Sequence, residues 1–323
     1  MFRTLLSIPL ALLAITMNAS AADRELPELP KPITSLGAVV DNGQIYVFGG
    51  HSGKAHSYSN ETTLNTFQRL NLTKPVKWEE LASGPVAQGL ALVAHDGGII
   101  RVGGMQPRNT AKEKTDAYSI DSVSRFDPKT GKWSDLPAMP AGRSSHDAVV
   151  IGDKLYVAGG WQMNGAGKDS VWHDKTLVLD LKKTDAGWEK IEQPFKRRAL
   201  TMAAHNGKVY VIAGLTSEGK ADRSVNIYDP EQKTWSKGAE IPDGPMNGFT
   251  PAACVADGKL YLSPADGKVY RLDEKGTEWA EAGALAHGRI VHRLVPAGNG
   301  RLLAIGGSVK GAPVGDVEEV VVK

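Results

Sequence analysis

The stretch "SSHDAVVIG" (144–152) runs through a tight turn at Gly152-Asp153 into "KLYVAGG" (154–160), and "KTLVLDL" (175–181) and "GWEKIEQ" (187–193) follow it. Each run is seven to nine residues long, rich in β-branched and aromatic residues, and bounded by Gly, Asp or Lys. That composition and spacing predict four short antiparallel strands, here a to d. The unit recurs. Strand b ends on a small-residue pair at Gly49-Gly50, Gly103-Gly104, Gly159-Gly160, Ala213-Gly214, Ser263-Pro264 and Gly306-Gly307. The a–b turns fall at Asp41-Asn42-Gly43, His95-Asp96-Gly97-Gly98, Gly152-Asp153, His205-Asn206-Gly207, Ala256-Asp257-Gly258 and Gly298-Asn299-Gly300. Asn-Gly and Asp-Gly supply the positive φ angles that hairpin turns need. Trp78, Trp133, Trp188, Trp235 and Trp279 open strand d in five copies, where a large ring at one site per repeat fills the space between neighbours.

A period near fifty residues with this pattern is the kelch signature. The chain resembles kelch propellers over essentially all of residues 22–323. The expected fold is all-β: a six-bladed kelch β-propeller with four-stranded antiparallel blades. The fifth copy, "LYLSPADGKVYRLD" (260–273), is degenerate but keeps its turn, its c strand and Trp279. The sixth copy stops at strand c, "DVEEVVVK" (316–323), while "ADRELPELPKP" (22–32) matches the register of "KWSDLPAMPAG" (132–142) without its Trp. The N-terminal segment is therefore expected to add strand d to the last blade and close the ring, which would leave no sheet edge open.

Residues 1–21 read as a signal peptide. Arg3 supplies the positive start, Leu5 to Ile15 an apolar run too short for a bilayer, and Ala19-Ser20-Ala21 the cleavage pattern. A mature chain from Ala22, periplasmic or secreted and free of the membrane after cleavage, is the expectation. The full chain carries 38 basic and 36 acidic residues, a balance that offers nothing to nucleic acid or an anionic surface. Cys254, the single cysteine, cannot form an internal disulfide and reads as a small buried hydrophobe.

Within kelch proteins the chain resembles the periplasmic N-acetylneuraminate epimerase (mutarotase) family in its leader, blade number and general pattern. The resemblance implies a sugar or sugar-acid ligand and no cofactor. It assigns no catalytic residue to a position in this chain.

Propeller geometry sorts the loops. The d–a and b–c connections share one face, and the tight a–b and c–d turns share the other. Long connections at 51–62, 105–119 and 161–174 mark the first face as the functional one. His51, His56, His146, His173, His287 and His292 fall there, as do Arg108, Arg143, Arg197, Arg198, Arg289 and Arg293, the two non-repeat indoles Trp161 and Trp172, and the group Met246-Asn247-Gly248-Phe249. Read as a binding mouth, this set gives His146 and His173 as acid and base for mutarotation. Arg143, Arg197, Arg198 and Arg289 would clamp a carboxylate or hydroxyl. Trp161 and Trp172 would stack on the ligand, and His51, His56, Asn247 and His292 would complete its contacts. Two other readings stay open. One is a non-catalytic propeller that binds a protein partner. The other is a metal site drawing on His51 and His56 with His146-Asp147 and His173-Asp174, although no tight ligand motif is present.

Overall fold

The computed structural model describes residues 26–323 and is a six-bladed propeller. Blade 1 is Gly37–Asp41, Gln44–Phe48, Phe67–Asn71 and Glu79–Leu81. Blade 2 is Ala91–His95, Gly98–Val102, Val123–Asp127 and Lys132–Leu136. Blade 3 is Ser144–Ile151, Lys154–Gln162, Lys175–Asp180 and Trp188–Glu192. Blade 4 is Thr201–His205, Lys208–Thr216, Ala221–Asp229 and Thr234–Gly238, and blade 5 is Ala252–Ala256, Lys259–Ser263, Lys268–Leu272 and Trp279–Ala284. Blade 6 has Arg293–Gly298, Arg301–Ile305 and Val317–Val321. Every adjacent pair within a blade is antiparallel.

Each b strand is apolar on both sides because a blade is covered on both faces. Alternation sends successive residues to different neighbours. Ile45 and Val47 join a core shared with blade 6, while Tyr46 and Phe48 join a core shared with blade 2. Six such interblade cores run round the ring. Cys254 is buried in the one between blades 5 and 6, where burial pushes its thiol pKa up.

The repeated indoles act as interblade pins. Trp133 donates its N–H to the Ala82 carbonyl, Trp188 to Pro137, Trp235 to Glu192 and Trp279 to Ala239. Each acceptor lies at or just past the end of strand d of the preceding blade. Trp78 donates in the same way to Pro27. Residues 22–25 of the expected closing strand lie outside the described residues, and 26–32 form no strand. The segment nonetheless joins the last blade to the first: Leu29 N–H meets the Gly315 carbonyl, Ile33 N–H meets Val314, and Leu26, Leu29 and Ile33 share one core with Ile45, Leu303 and Ile305.

The blades also meet at the axis. One residue at the entry to each blade is left-handed: Ser35, Gly89, Ser145, Ala199, Thr250 and Val291, with φ between 46° and 59°. Their peptides form a closed ring of hydrogen bonds. Gly89 N–H binds Ser35 O, Ser145 binds Gly89, Ala199 binds Ser145, Thr250 binds Ala199, and Ser35 binds Val291, at 2.7–2.9 Å. The remaining link runs from Val291 N–H to the Thr250 hydroxyl at 3.0 Å. A non-glycine left-handed residue costs about 1–2 kcal/mol, and a hydrogen bond contributes about 1 kcal/mol net. The ring therefore adds little stability by itself. It fixes the register between blades, because a blade that slipped would leave a buried N–H unpaired.

Thr250 is the ring's one side-chain link, so Thr250→Val, which orphans the Val291 N–H, should lower stability by about 1–3 kcal/mol. Thr250→Ser keeps the hydroxyl and should lose far less. Urea unfolding of the two variants beside wild type checks the difference.

Candidate functional site

A cavity of about 140 Å³ opens at the axis on the loop-rich face, with the hydrogen-bonded ring as its waist. At roughly 30 Å³ per water it has room for about five waters. Complete ligand sites start near 300 Å³, so this throat would hold part of a ligand and leave the rest among the loops.

Below the ring the channel is plugged. The Arg293 guanidinium donates to the carbonyls of Leu36 (3.0 Å) and Leu90 (2.8 Å) and to Asp147 Oδ1 (3.0 Å). Asp147 Oδ2 accepts the Met202 N–H at 2.9 Å and the Thr201 hydroxyl at 3.3 Å. One cation from blade 6 thus ties blades 1, 2 and 3 together and reaches blade 4 through its counter-ion.

Above the ring stand Tyr58, Arg198 and Phe249. Arg198 follows Arg197 in a two-residue strand that pairs with Leu215 and Thr216 at the end of blade 4. Its guanidinium carbon sits 4.1 Å from the Trp161 ring centre and 5.7 Å from that of Trp172. These two indoles meet edge to face, ring centres 5.6 Å apart, across a hairpin in which Trp161 pairs with Trp172. Among the described residues no carboxylate pairs with Arg198, and its buried Nε has no hydrogen-bond partner. Tyr58 comes from the opposite side of the ring, on the b–c loop of blade 1, close enough to feel the Arg198 charge. Burial raises its phenol pKa and Arg198 opposes that shift, so the phenol holds its proton at neutral pH.

The other expected clamps are elsewhere. Arg143, Arg197 and Arg289 are almost wholly buried. Each stands two residues before a ring residue, and each guanidinium faces into the protein. Arg143 donates to the Gly159 and Lys175 carbonyls, Arg197 to Ser224 and Asn226, and Arg289 to Gly306 and Glu318. They hold strand ends together and have no face toward a ligand. Asn247 is likewise buried, bonded to the Pro242 carbonyl and Asp266.

The histidines divide in the same way. His146 and His292 follow the ring residues of blades 3 and 6, at the position that Leu36, Leu90, Leu200 and Pro251 take in the others. Both residues line the throat, but they are almost wholly buried and their imidazoles reach toward the neighbouring blade. His146 packs against Gly103 of blade 2, and His292 bonds the Ser263 hydroxyl of blade 5 at 3.1 Å. One nitrogen of His292 has no partner, and His146 makes only a poorly aligned approach to the Val102 carbonyl. Burial first, then the nearby arginines, holds His146 well below the usual imidazole range and His292 down to about 3. His173 bonds the Gly142 carbonyl at 3.0 Å and is held to about 4, by burial and then by Arg143. Burial thus favours the neutral imidazole in all three, which disfavours an imidazolium as the acid half of the expected acid–base pair. His51 is buried, with Nε2 on the Ser57 carbonyl and its ring edge-on to Tyr58 at 5.1 Å. His56 is exposed, 6.3 Å from the same Tyr58 ring. Both shape the loop that carries Tyr58. Among the described residues no three His, Cys, Asp or Glu side chains form a metal-holding group.

The KLHDC2/KLHL20/DRC7 kelch-repeats domain matches residues 16–160 and the kelch motif matches 196–242. Kelch-like protein 35 of Mus musculus is 27% identical over 73% of this chain, and F-box/kelch-repeat protein At1g22040 of Arabidopsis thaliana is 30% identical over 59%. The chain spans only 36% and 43% of their lengths. N-acetylneuraminate epimerase 2 of Escherichia coli O6:H1 is 27% identical over 93% of this chain and 92% of its own. The solved structure of YjhT superposes with a TM-score of 0.73 at 20% identity, covering 92% of this chain and 99% of that one, and supports the fold.

The buried imidazoles carry a pH signature. A histidine whose folded pKa lies below its unfolded value near 6.5 takes up its proton more readily when unfolded, so stability falls as pH drops from about 6.5 toward about 4. His292→Leu, the residue type of blades 1, 2 and 4 at this position, should flatten that fall. Urea midpoints near pH 7 and near pH 4.5 show whether the variant's loss is smaller than that of wild type.

Proposed function

From a kelch-repeat β-propeller that resembles N-acetylneuraminate epimerase along nearly its whole length, we propose that the chain binds a sugar bearing one negative charge at the loop-rich mouth and interconverts its anomers. Arg198 carries the reading: it is a mouth guanidinium with no carboxylate partner, laid on two indoles and faced by a phenol. A guanidinium fixed in this way presents its N–H edge to a carboxylate with little loss of side-chain freedom. The indole faces and Phe249 suit the C–H face of a pyranose. Anomer exchange needs a proton at the ring oxygen and a base at the anomeric hydroxyl. Tyr58, protonated and beside Arg198, is the donor in this reading, in place of the buried imidazoles. The leader expected at 1–21 would deliver the propeller to the periplasm or outside the cell.

A protein-binding propeller is the second reading, favoured by three mouth loops that join into one continuous wall. It expects a partner to co-purify and no sugar to shift the melting temperature.

Exchange NMR on N-acetylneuraminate should show faster anomer interconversion with wild type. Arg198→Ala should lower the rate at sub-saturating sugar by about tenfold or more. An unchanged anomer rate with intact binding leaves a sugar-binding protein without the isomerase step. No binding of acidic or neutral sugars removes the sugar reading altogether.

A further inference from the structure

The b–c loop of blade 2 contributes no side chain to the throat, yet it is bonded to the loop that carries Tyr58 and to the loop whose indoles pack on Arg198. It forms a hairpin, Met105–Pro107 against Ala117–Ser119, that stands between the loops of blades 1 and 3. On the blade 1 side the knot is Asn109, which is 5% exposed. Its Nδ2 donates to the Tyr58 carbonyl at 2.8 Å and to the Thr110 carbonyl at 2.9 Å. Its Oδ1 accepts the Asp116 N–H at 2.9 Å, and its own carbonyl accepts the Asn60 N–H at 3.0 Å. On the blade 3 side the knot is Ser119. Its hydroxyl donates to the Trp161 carbonyl at 3.1 Å, accepts the Met163 N–H at 2.9 Å, and lies 2.7 Å from the Ser144 hydroxyl.

We propose that this loop is a splint for the mouth, with Asn109 as the positioning residue that sets Tyr58 over the throat. The inference rests on the mouth being the ligand site, and it extends the site to residues that touch no ligand. The Tyr58 carbonyl is held by a side chain from another blade, and the Asn109 amide serves it from Nδ2 while accepting the Asp116 N–H at Oδ1. Loss of Asn109 frees the loop at Tyr58, so the phenol has to be ordered again each time a ligand binds. Glu113 supplies the contrast. It bonds Thr110 in the same loop, at 2.7 and 2.9 Å, and does not touch blade 1.

Hydrogen–deuterium exchange of the full chain tests the splint without needing a ligand. Asn109→Ala should raise exchange over residues 51–63 by about tenfold and leave blades 4 to 6 unchanged, while Glu113→Ala leaves 51–63 as in wild type. Asn109→Asp keeps the acceptor for Asp116 and removes the donor to Tyr58, so it should reproduce the effect if the alanine variant does not fold. N-acetylneuraminate affinity, read by indole fluorescence, should fall in Asn109→Ala as far as in Tyr58→Ala, and the double variant should be no weaker than either. Unchanged exchange over 51–63, a rise spread over the whole propeller, or affinity losses that add in the double variant would each overturn the inference. If wild type ignores the sugar while exchange rises over 51–63 alone, the ligand assignment falls and the splint stands.

Discussion

Six left-handed residues, one at the entry of each blade, pass hydrogen bonds round the axis from peptide to peptide. Everything at the mouth is placed by that ring. It sets the height at which each strand a begins, so the residues two before it and one after it occupy equivalent places in every blade. Its net energy is small, since the strain of five non-glycine left-handed residues offsets much of the bonding. Its value is geometric: interblade cores of aliphatic side chains tolerate small slides, whereas a peptide ring does not. Arg293 and Asp147 secure the same level from inside the channel.

The ring also separates structural polarity from binding polarity. Below it and between the blades, guanidinium groups meet carbonyls, hydroxyls and the Asp147 and Glu318 carboxylates, and the imidazoles of His146 and His292 stay out of water. Above it Arg198 alone of the buried or half-buried mouth arginines has its cation without a partner. Desolvation by the two indoles strengthens any bond it makes to an anion, since the local dielectric is low. In the proposed reading the mouth would select its ligand through a single fixed charge held in an apolar frame.

Much of this was legible in the sequence because it is encoded locally. The Asn-Gly and Asp-Gly turns, the repeated indoles and the small-residue pairs each impose their own conformation, and the structure has six blades where those signals stand. The one-sided bias of Arg and His was legible too, but its meaning was not. Arg143, Arg197 and Arg289 share a repeat position, as do His146 and His292, so their bias toward the mouth end reflects the repeat itself. Residue type does not say whether a side chain at a strand entry turns to the channel or to the next blade, and buried polar groups of either kind look alike in sequence. Trp161, Trp172 and Arg198 lie outside the repeated positions, and these the structure does bring together. Tyr58 was missed because its loop crosses to the opposite side of the ring, a contact set by the Asn109 knot between two loops of different blades.

The central claim is that ligand chemistry is confined to the mouth around Arg198. The chain has seven tryptophans, two at the mouth and five pinning blades. A titration of the protein with N-acetylneuraminate, followed through the seven indole N–H resonances, separates the two groups directly. The account expects the Trp161 and Trp172 signals to move together while those of Trp78, Trp133, Trp188, Trp235 and Trp279 stay in place. Saturable movement confined to the blade-pinning indoles, or none in any of the seven, would contradict it.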